Sequence, residues 1–252
     1  MKLLNIDANP KTVKGQKKGY MTAILYLAPY KLSGYQVCPM AEAAGCIGDC
    51  LNTAGRGGMA PLDAETVEVD GHVVRMNSVQ FARIERTRFL FEDRQTFMCV
   101  LTTEIIAAQK KAAKNGLELV VRLNGTSDIR WENIKFGPLE ATIFEHFPEL
   151  QFYDYTKIAN RRINHIPNYH LTFSFSAVKK FRNHFNKAME FYGDTMNAAV
   201  VFKGNIPETF MGMDVVNGDE TDLRFLDRKG VIVALKAKGK ARKSDSGFAV
   251  AA

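Results

Sequence analysis

The run LELVVRL, residues 117–123, decides the fold: it is nearly continuous apolar sequence of strand length, it follows the helix-stopping pair Asn115-Gly116, and it runs directly into the polar stretch NGTSD at 124–128. A strand with one wet face alternates apolar and polar residues, whereas an uninterrupted run is buried on both faces, as in a parallel sheet covered by helices. Comparable runs lie to either side. Upstream, Thr22–Ala28 (TAILYLA) reads as the first strand and leads through Pro29 into a loop that holds three cysteines. Downstream, Phe152–Thr156, His170–Phe175, Ala198–Phe202 and Val231–Lys236 complete a set of six.

Helical patterns fill most of the gaps. From Asn77 or Ser78 a helix would bury Phe81, Ile84 and Phe91, and a second would bury Phe97, Leu101, Ile105 and Ala108, with Cys99 as a core thiol among them. Pro138–Phe147 reads as a short helix ended by Pro148, Ile158–Ile163 as a helical stretch, and Val178–Phe191 as a clear helix. Thr66–Arg75 alternates around Asp70-Gly71, a hairpin signal that stands outside the repeat. Such βα repetition predicts an α/β fold with mostly parallel strands, either a partial barrel or an open doubly wound sheet. Residues 1–240 are expected to form one domain, carrying the cysteine loop 38–50 and hairpin 66–75 as insertions, and 241–252 a basic tail that frays.

The chain has four cysteines, and Cys38, Cys46 and Cys50 share one loop, VCPMAEAAGCIGDC. A reducing compartment makes such a cluster a metal or catalytic site rather than a disulfide framework. Three thiolates on a metal leave one coordination position without a cysteine, which is where chemistry would occur. The other candidates sit at the carboxyl ends of the strands, where α/β enzymes place their sites. Arg122, Asn124, Thr126, Ser127 and Asp128 end the second strand; Asp154, Tyr155, Thr156 and Lys157 end the third; Ser174 and Ser176 end the fourth; Lys203 follows the fifth.

A composition of 46% hydrophobic and 24% charged residues is that of an ordinary globular protein. No run approaches membrane-spanning length, and the N-terminal KLLNIDANPKTVKGQKKG lacks the apolar segment of a signal peptide, so a membrane role is not expected and a cytoplasmic location is. The net charge of +7 suggests an anionic small molecule or nucleic acid as partner, although lysines clustered at 11–18 and 236–243 supply part of it. Nothing in the pattern sets an oligomeric state.

The succession KKGYMTAILYLAP, VCPMAEAAGCIGDCLNTAGRG, RTRFLFEDRQTF, VVRLNGTSDIRWE, FYDYTK and DLRFLDRKGVIVALKAKGKAR resembles the phage family catalogued as gene product eighty-eight over nearly the whole chain. Three cysteines after the first strand of a six-repeat βα chain also resemble the radical S-adenosylmethionine enzymes. That second resemblance implies a partial (βα)6 barrel and a [4Fe–4S] cluster on Cys38, Cys46 and Cys50, whose open iron binds S-adenosylmethionine. Asn124, Thr126, Ser127 and Asp128 would then contact the cofactor, and Arg122, Tyr155, Lys157, Ser174 and Lys203 an anionic substrate such as a nucleotide or nucleic acid. The spacing here is C-x7-C-x3-C where that superfamily commonly has C-x3-C-x2-C, and NGTSD stands where a Gly-Gly-Glu motif is frequent. Two other classes stay open. Zinc could take the cysteines with His72 in a basic nucleic-acid-binding protein, and magnesium could sit on Asp128 and the loop carboxylates Asp214, Asp219, Glu220 and Asp222 of a nuclease.

Overall fold

The computed structural model of the protein describes residues 1–7 and 9–251. Nine strands form one sheet: β1 Leu4–Ile6, β2 Tyr20–Leu25, β3 Glu118–Arg122, β4 Gln151–Thr156, β5 Tyr169–Ser174, β6 Ala198–Phe202, β7 Thr209–Phe210, β8 Met213–Asn217 and β9 Ile232–Lys236. Across the sheet the order is β1-β2-β3-β4-β5-β6-β9-β8-β7. The six expected strands are all present, as β2 to β6 and β9, and they lie side by side in chain order with every pairing parallel. An antiparallel β1 flanks β2, and β8 runs parallel to β9 before β7 folds back on it. The edges β1 and β7 do not pair, so the described residues form an open, mostly parallel sheet and not a closed barrel.

Five helices accompany the sheet: α1 Pro10–Gly15, α2 Ser78–Glu92, α3 Arg94–Lys114, α4 Ile143–His146 and α5 Arg182–Tyr192. α3 lays Phe97, Leu101, Ile105 and Ala108 on Ala23, Leu25, Val121 and Leu123, and α5 lays Phe185 and Ala188 on Phe173, Ala198 and Val200. Burial of these side chains, about 1.5–3 kcal/mol for each large one, anchors both helices to one face of the sheet. The other face carries Val120, Arg122, Tyr153 and Tyr155 and is covered by the segment before β9, through Leu223 and Phe225. Among the described residues no helix is long and apolar enough to cross a membrane.

The hairpin forms as its sequence predicts, Thr66–Val69 pairing with His72–Arg75 around Asp70 (φ 49°) and Gly71 (φ 77°), the doubly left-handed turn that an Asp-Gly pair favours. Asn77 caps α2 by accepting from the amides of Val79 and Gln80 at 3.0 Å each.

Several local expectations give way. The first strand ends at Leu25 rather than Ala28, because the Ala28 amide is taken by Thr87 Oγ1 of α2 at 2.8 Å. Residues 158–163 are not helical: the Tyr192 hydroxyl accepts from the Arg161 amide at 3.0 Å and donates to its carbonyl at 2.8 Å, occupying both groups a helix would need. Of 138–147 only Ile143–His146 is helical, since Lys135–Phe136 and Ala141–Thr142 first pair as a small hairpin. Cys99 is exposed, two residues from Phe97 and from Leu101 and therefore on the opposite side of α3. Phe81 is likewise 47% exposed, because α2 turns Gln80, Arg83 and Ile84 inward instead.

The closing stretch is anchored where a frayed tail is expected. Gly247 accepts from the Ala177 amide, Val250 exchanges backbone bonds with Val201 and Lys203, and Ser246 Oγ donates to Asp49 Oδ2 at 2.6 Å. Ala252 lies outside the described residues.

Candidate functional site

The cysteine loop leaves the carboxyl end of β2 and is stitched to the neighbouring end of β3. Gly125 donates to the Leu25 carbonyl at 3.0 Å, Thr126 Oγ1 to the Leu27 carbonyl at 2.5 Å, and the Asp128 amide to the Val37 carbonyl at 2.8 Å. Gly125 is required by this approach: a Cβ there would stand 2.7 Å from Ile24, from the Leu25 carbonyl and from the Tyr26 ring. Hairpin 66–75 then folds over the loop, its Asp70 accepting from Tyr30 Oη at 2.6 Å and from Lys31 Nζ at 2.9 Å. Val67, Val69 and Val74 pack beneath on Ala28, Leu32 and Ile84.

Cys38, Cys46 and Cys50 all line the single cavity enclosed in this way, about 60 Å³, together with Tyr30, Asn52 and His72. Cys38 Sγ donates to the Thr126 carbonyl and Cys46 Sγ to the Ala41 carbonyl, each at 3.7 Å, while Cys50 Sγ accepts from the Asn52 amide at 3.4 Å. Burial pushes all three thiols upward, Cys38 well above its ordinary value and Cys50 to about 11, so at neutral pH they are protonated and inert unless a metal displaces the protons. Among the described residues, no group of three or more His, Cys, Asp or Glu side chains is close enough together to hold a metal ion as the loop stands. Thiolates as a donor class suit a thiophilic metal, and holding one here would require the loop to draw inward around the cavity.

The residues after β3 stand beside this cavity and bond mainly to one another. Asn124 Oδ1 accepts from Ser127 Oγ, the Ile129 amide and Trp131 Nε1 at 2.9, 2.9 and 3.2 Å, and its own amide donates to Asp154 Oδ1 at 2.8 Å. Asp128 accepts from Thr156 Oγ1 at 2.8 Å and from the Lys157 amide at 2.7 Å, with Arg161 Nη1 at 3.4 Å. Arg161, fully buried, holds Glu132 through two bonds of 2.9 and 2.5 Å and donates to Tyr169 Oη at 3.1 Å. Burial pushes Asp154 up to about 6 and outweighs Arg122 and its hydrogen bonds. Asn124, Thr126, Ser127 and Asp128 thus brace the wall of the cavity.

Of the residues expected to meet a substrate, Lys157 and Ser174 reach the cysteine region. Lys157 Nζ donates to Ser174 through both its carbonyl and its hydroxyl at 3.0 Å. Arg122 lies on the other face of the sheet, paired with Asp222 at 2.5 Å and 5.0 Å from the centre of the Tyr155 ring. Lys203 donates to the Ser244 carbonyl and so holds the closing stretch. The carboxylates considered for magnesium are dispersed: Asp219 pairs with Lys11 at 2.6 Å, Asp214 with Arg228 at 2.6 Å and Asp222 with Arg122.

Sequence reading overlooks the support beneath Cys50. Gln80 Nε2 donates to the Asn52 and Gly57 carbonyls at 2.9 and 2.6 Å, and Arg83 Nη1 to Asn52 Oδ1 at 2.5 Å, so α2 grips the chain immediately after the third cysteine. Two polar residues four apart or fewer on the inward side of a helix, at 80 and 83, were the available signal. The Gly55–Gly58 stretch forms a 3-10 turn against this grip; a Cβ on Gly57 would meet the Asn52 carbonyl at 2.3 Å.

No curated protein and no solved structure matches the chain. A family model described as Gene product 88 matches residues 2–252, nearly its whole length. The chain belongs to the gene product 88 family.

Proposed function

We propose that Cys38, Cys46 and Cys50 hold a [4Fe–4S] cluster and that the protein is a radical S-adenosylmethionine-type enzyme acting on an anionic substrate such as a nucleotide or nucleic acid. The observation that carries this reading is the placement of three cysteine side chains around one cavity, on the loop after the first of six parallel strands laid in chain order. That order is what a partial (βα)6 barrel requires, and three cysteine ligands leave one iron for the cofactor's amino and carboxyl groups. Held by Cys38, Cys46 and Cys50, such a cluster would supply one-electron reductive cleavage of S-adenosylmethionine, with methionine as the leaving group. The protein's part is to shield the site with hairpin 66–75, to hold the loop through Gln80 and Arg83, and to present the carboxyl ends of β4 and β5 to the substrate.

The test is anaerobic purification, reconstitution with iron and sulfide, and measurement of the broad visible absorption of a cluster. The expected result is four irons per chain, lost in Cys38→Ala, Cys46→Ala and Cys50→Ala, and 5′-deoxyadenosine released from S-adenosylmethionine under reduction. A colourless protein carrying one tightly bound zinc would sink the reading.

One observation favours that second outcome. His72 lines the same cavity, and its ring lies on the loop between Cys46 and Cys50, since a Cβ on Gly48 would stand 3.3 Å from His72 Nδ1. A three-cysteine, one-histidine zinc site would make the loop a structural staple of a basic nucleic-acid-binding protein. His72→Ala separates the two readings, abolishing zinc retention in the second and sparing cluster content in the first.

A further inference from the structure

Lys157 follows the end of β4, and its ammonium reaches the chain at Ser174 and Phe175, the latter packed in one cluster with Ala44 and Cys46 of the cysteine loop. All its hydrogen-bond partners are neutral: the Ser174 carbonyl and hydroxyl at 3.0 Å and the Phe175 carbonyl at 3.4 Å. Two rings flank it, Phe181 at 5.3 Å and Phe248 of the closing stretch at 4.9 Å. Among the described residues no carboxylate lies within ion-pair distance of Nζ. Asp128 is nearby, but it faces Arg161, Thr156 and the Lys157 backbone. The ammonium is therefore enclosed by oxygens and aromatic faces with no anion against it, an arrangement that is costly unless a negative charge arrives. Cys46 packs against the cluster of Phe175 and Phe181, whose carbonyl and ring respectively meet the ammonium, so a thiolate at Cys46 would face Lys157.

We infer that Lys157 is the counter-ion of the three-cysteine site, a positioning residue that favours its metal-loaded form. The inference rests on the reading that these cysteines bind metal. Three thiolates on a divalent ion, or on a [4Fe–4S] core of charge two, leave one net negative charge, and one ammonium neutralises it. With neutral thiols the same ammonium has no counter-charge, so metal loading relieves both sides at once.

The full-length protein is titrated with Co2+, followed by the thiolate-to-cobalt charge-transfer band in competition with a chelator. Lys157→Met should bind about tenfold more weakly than wild type, equivalent to about 1.4 kcal/mol. Lys157→Arg should recover most of that loss, and Lys110→Met, which removes an equal charge from the exposed side of α3, should change nothing. If Lys157→Met loses its native circular dichroism, Lys157→Gln is read in its place. In reconstituted protein the midpoint potential should move negative in Lys157→Met and return in Lys157→Arg, a change that loss of packing alone would not reverse. Equal Co2+ affinity in wild type and Lys157→Met overturns the inference alone. A wild type that takes Co2+ but refuses a cluster overturns the iron–sulfur reading and leaves the inference standing; one that takes neither overturns both.

Discussion

Two neighbouring sets of groups lie at the carboxyl ends of β2, β3 and β4, and they are finished to different degrees. In the set around Asp128, Asp154 and Arg161, carboxylates face a guanidinium, hydroxyls or backbone amides, and Asn124 Oδ1 alone accepts three hydrogen bonds. In the set around Cys38, Cys46 and Cys50, three thiols make only long sulfur contacts, and Lys157 beside them bonds to neutral groups alone. A protein completes the contacts of a scaffold when it folds and leaves the contacts of a binding site for its ligand. The difference marks the first set as support and leaves the second as the one that the proposed function would complete with a ligand.

The assignment can be broken most directly at Arg161. Replacing it by Ala strands Glu132 and Asp128 in the interior and should lower unfolding free energy by about 3–5 kcal/mol in a urea titration; a loss below about 1 kcal/mol would mean that this set is not the scaffold. Next in size is a pH effect. Because burial raises Asp154 from its ordinary 3.8 to about 6, its contribution to stability is fully present below pH 4 and declines as pH rises through 6. Wild type should lose about 2–3 kcal/mol across that window relative to Asp154→Asn, whose stability should vary less with pH; parallel curves would refute the assignment of that titration. Gly125→Ala should follow at about 1–3 kcal/mol, since the added methyl has no space between β2 and β3, and a thermal melt unchanged from wild type would show that the two strand ends are not in contact. The smallest stability effect belongs to the other set: Cys46→Ala should change the metal-free protein by about 1 kcal/mol or less while removing metal retention altogether. Should the metal-free variant unfold, the cysteines would have to be counted with the scaffold.

What could be read in advance follows the range of the interactions involved. The LELVVRL strand, the Asp-Gly hairpin and the Asn77 cap depend on contacts within a few residues, and each forms where its sequence places it. The stretch 158–163 carries helical spacing, yet its conformation is set by Tyr192, 31 residues away, through both backbone groups of Arg161. Phe81 misled because apolar identity pointed inward while the packing partner of α2 was a polar loop requiring Gln80 and Arg83. The gathering of the three cysteines around one cavity was legible from their proximity in the chain, whereas the polar strand ends were ambiguous by nature. Asn124 bracing a wall and Asn124 meeting a cofactor have the same sequence; only Trp131 and Asp154 around it separate the two. Arg122 and Lys203 went the same way, each matched to an acceptor about 100 or 40 residues further on.

The anchoring of the closing stretch also sets an order of events during synthesis. Ser246 braces Asp49, between Cys46 and Cys50, and Phe248 lies against Lys157, so the outer support of the site is translated almost 200 residues after the cysteines it supports. While the chain is still on the ribosome that loop has its inner contacts from β3 but not this brace, and a nascent chain stalled before residue 246 would hold its cysteines more accessible to thiol reagents than the finished protein does.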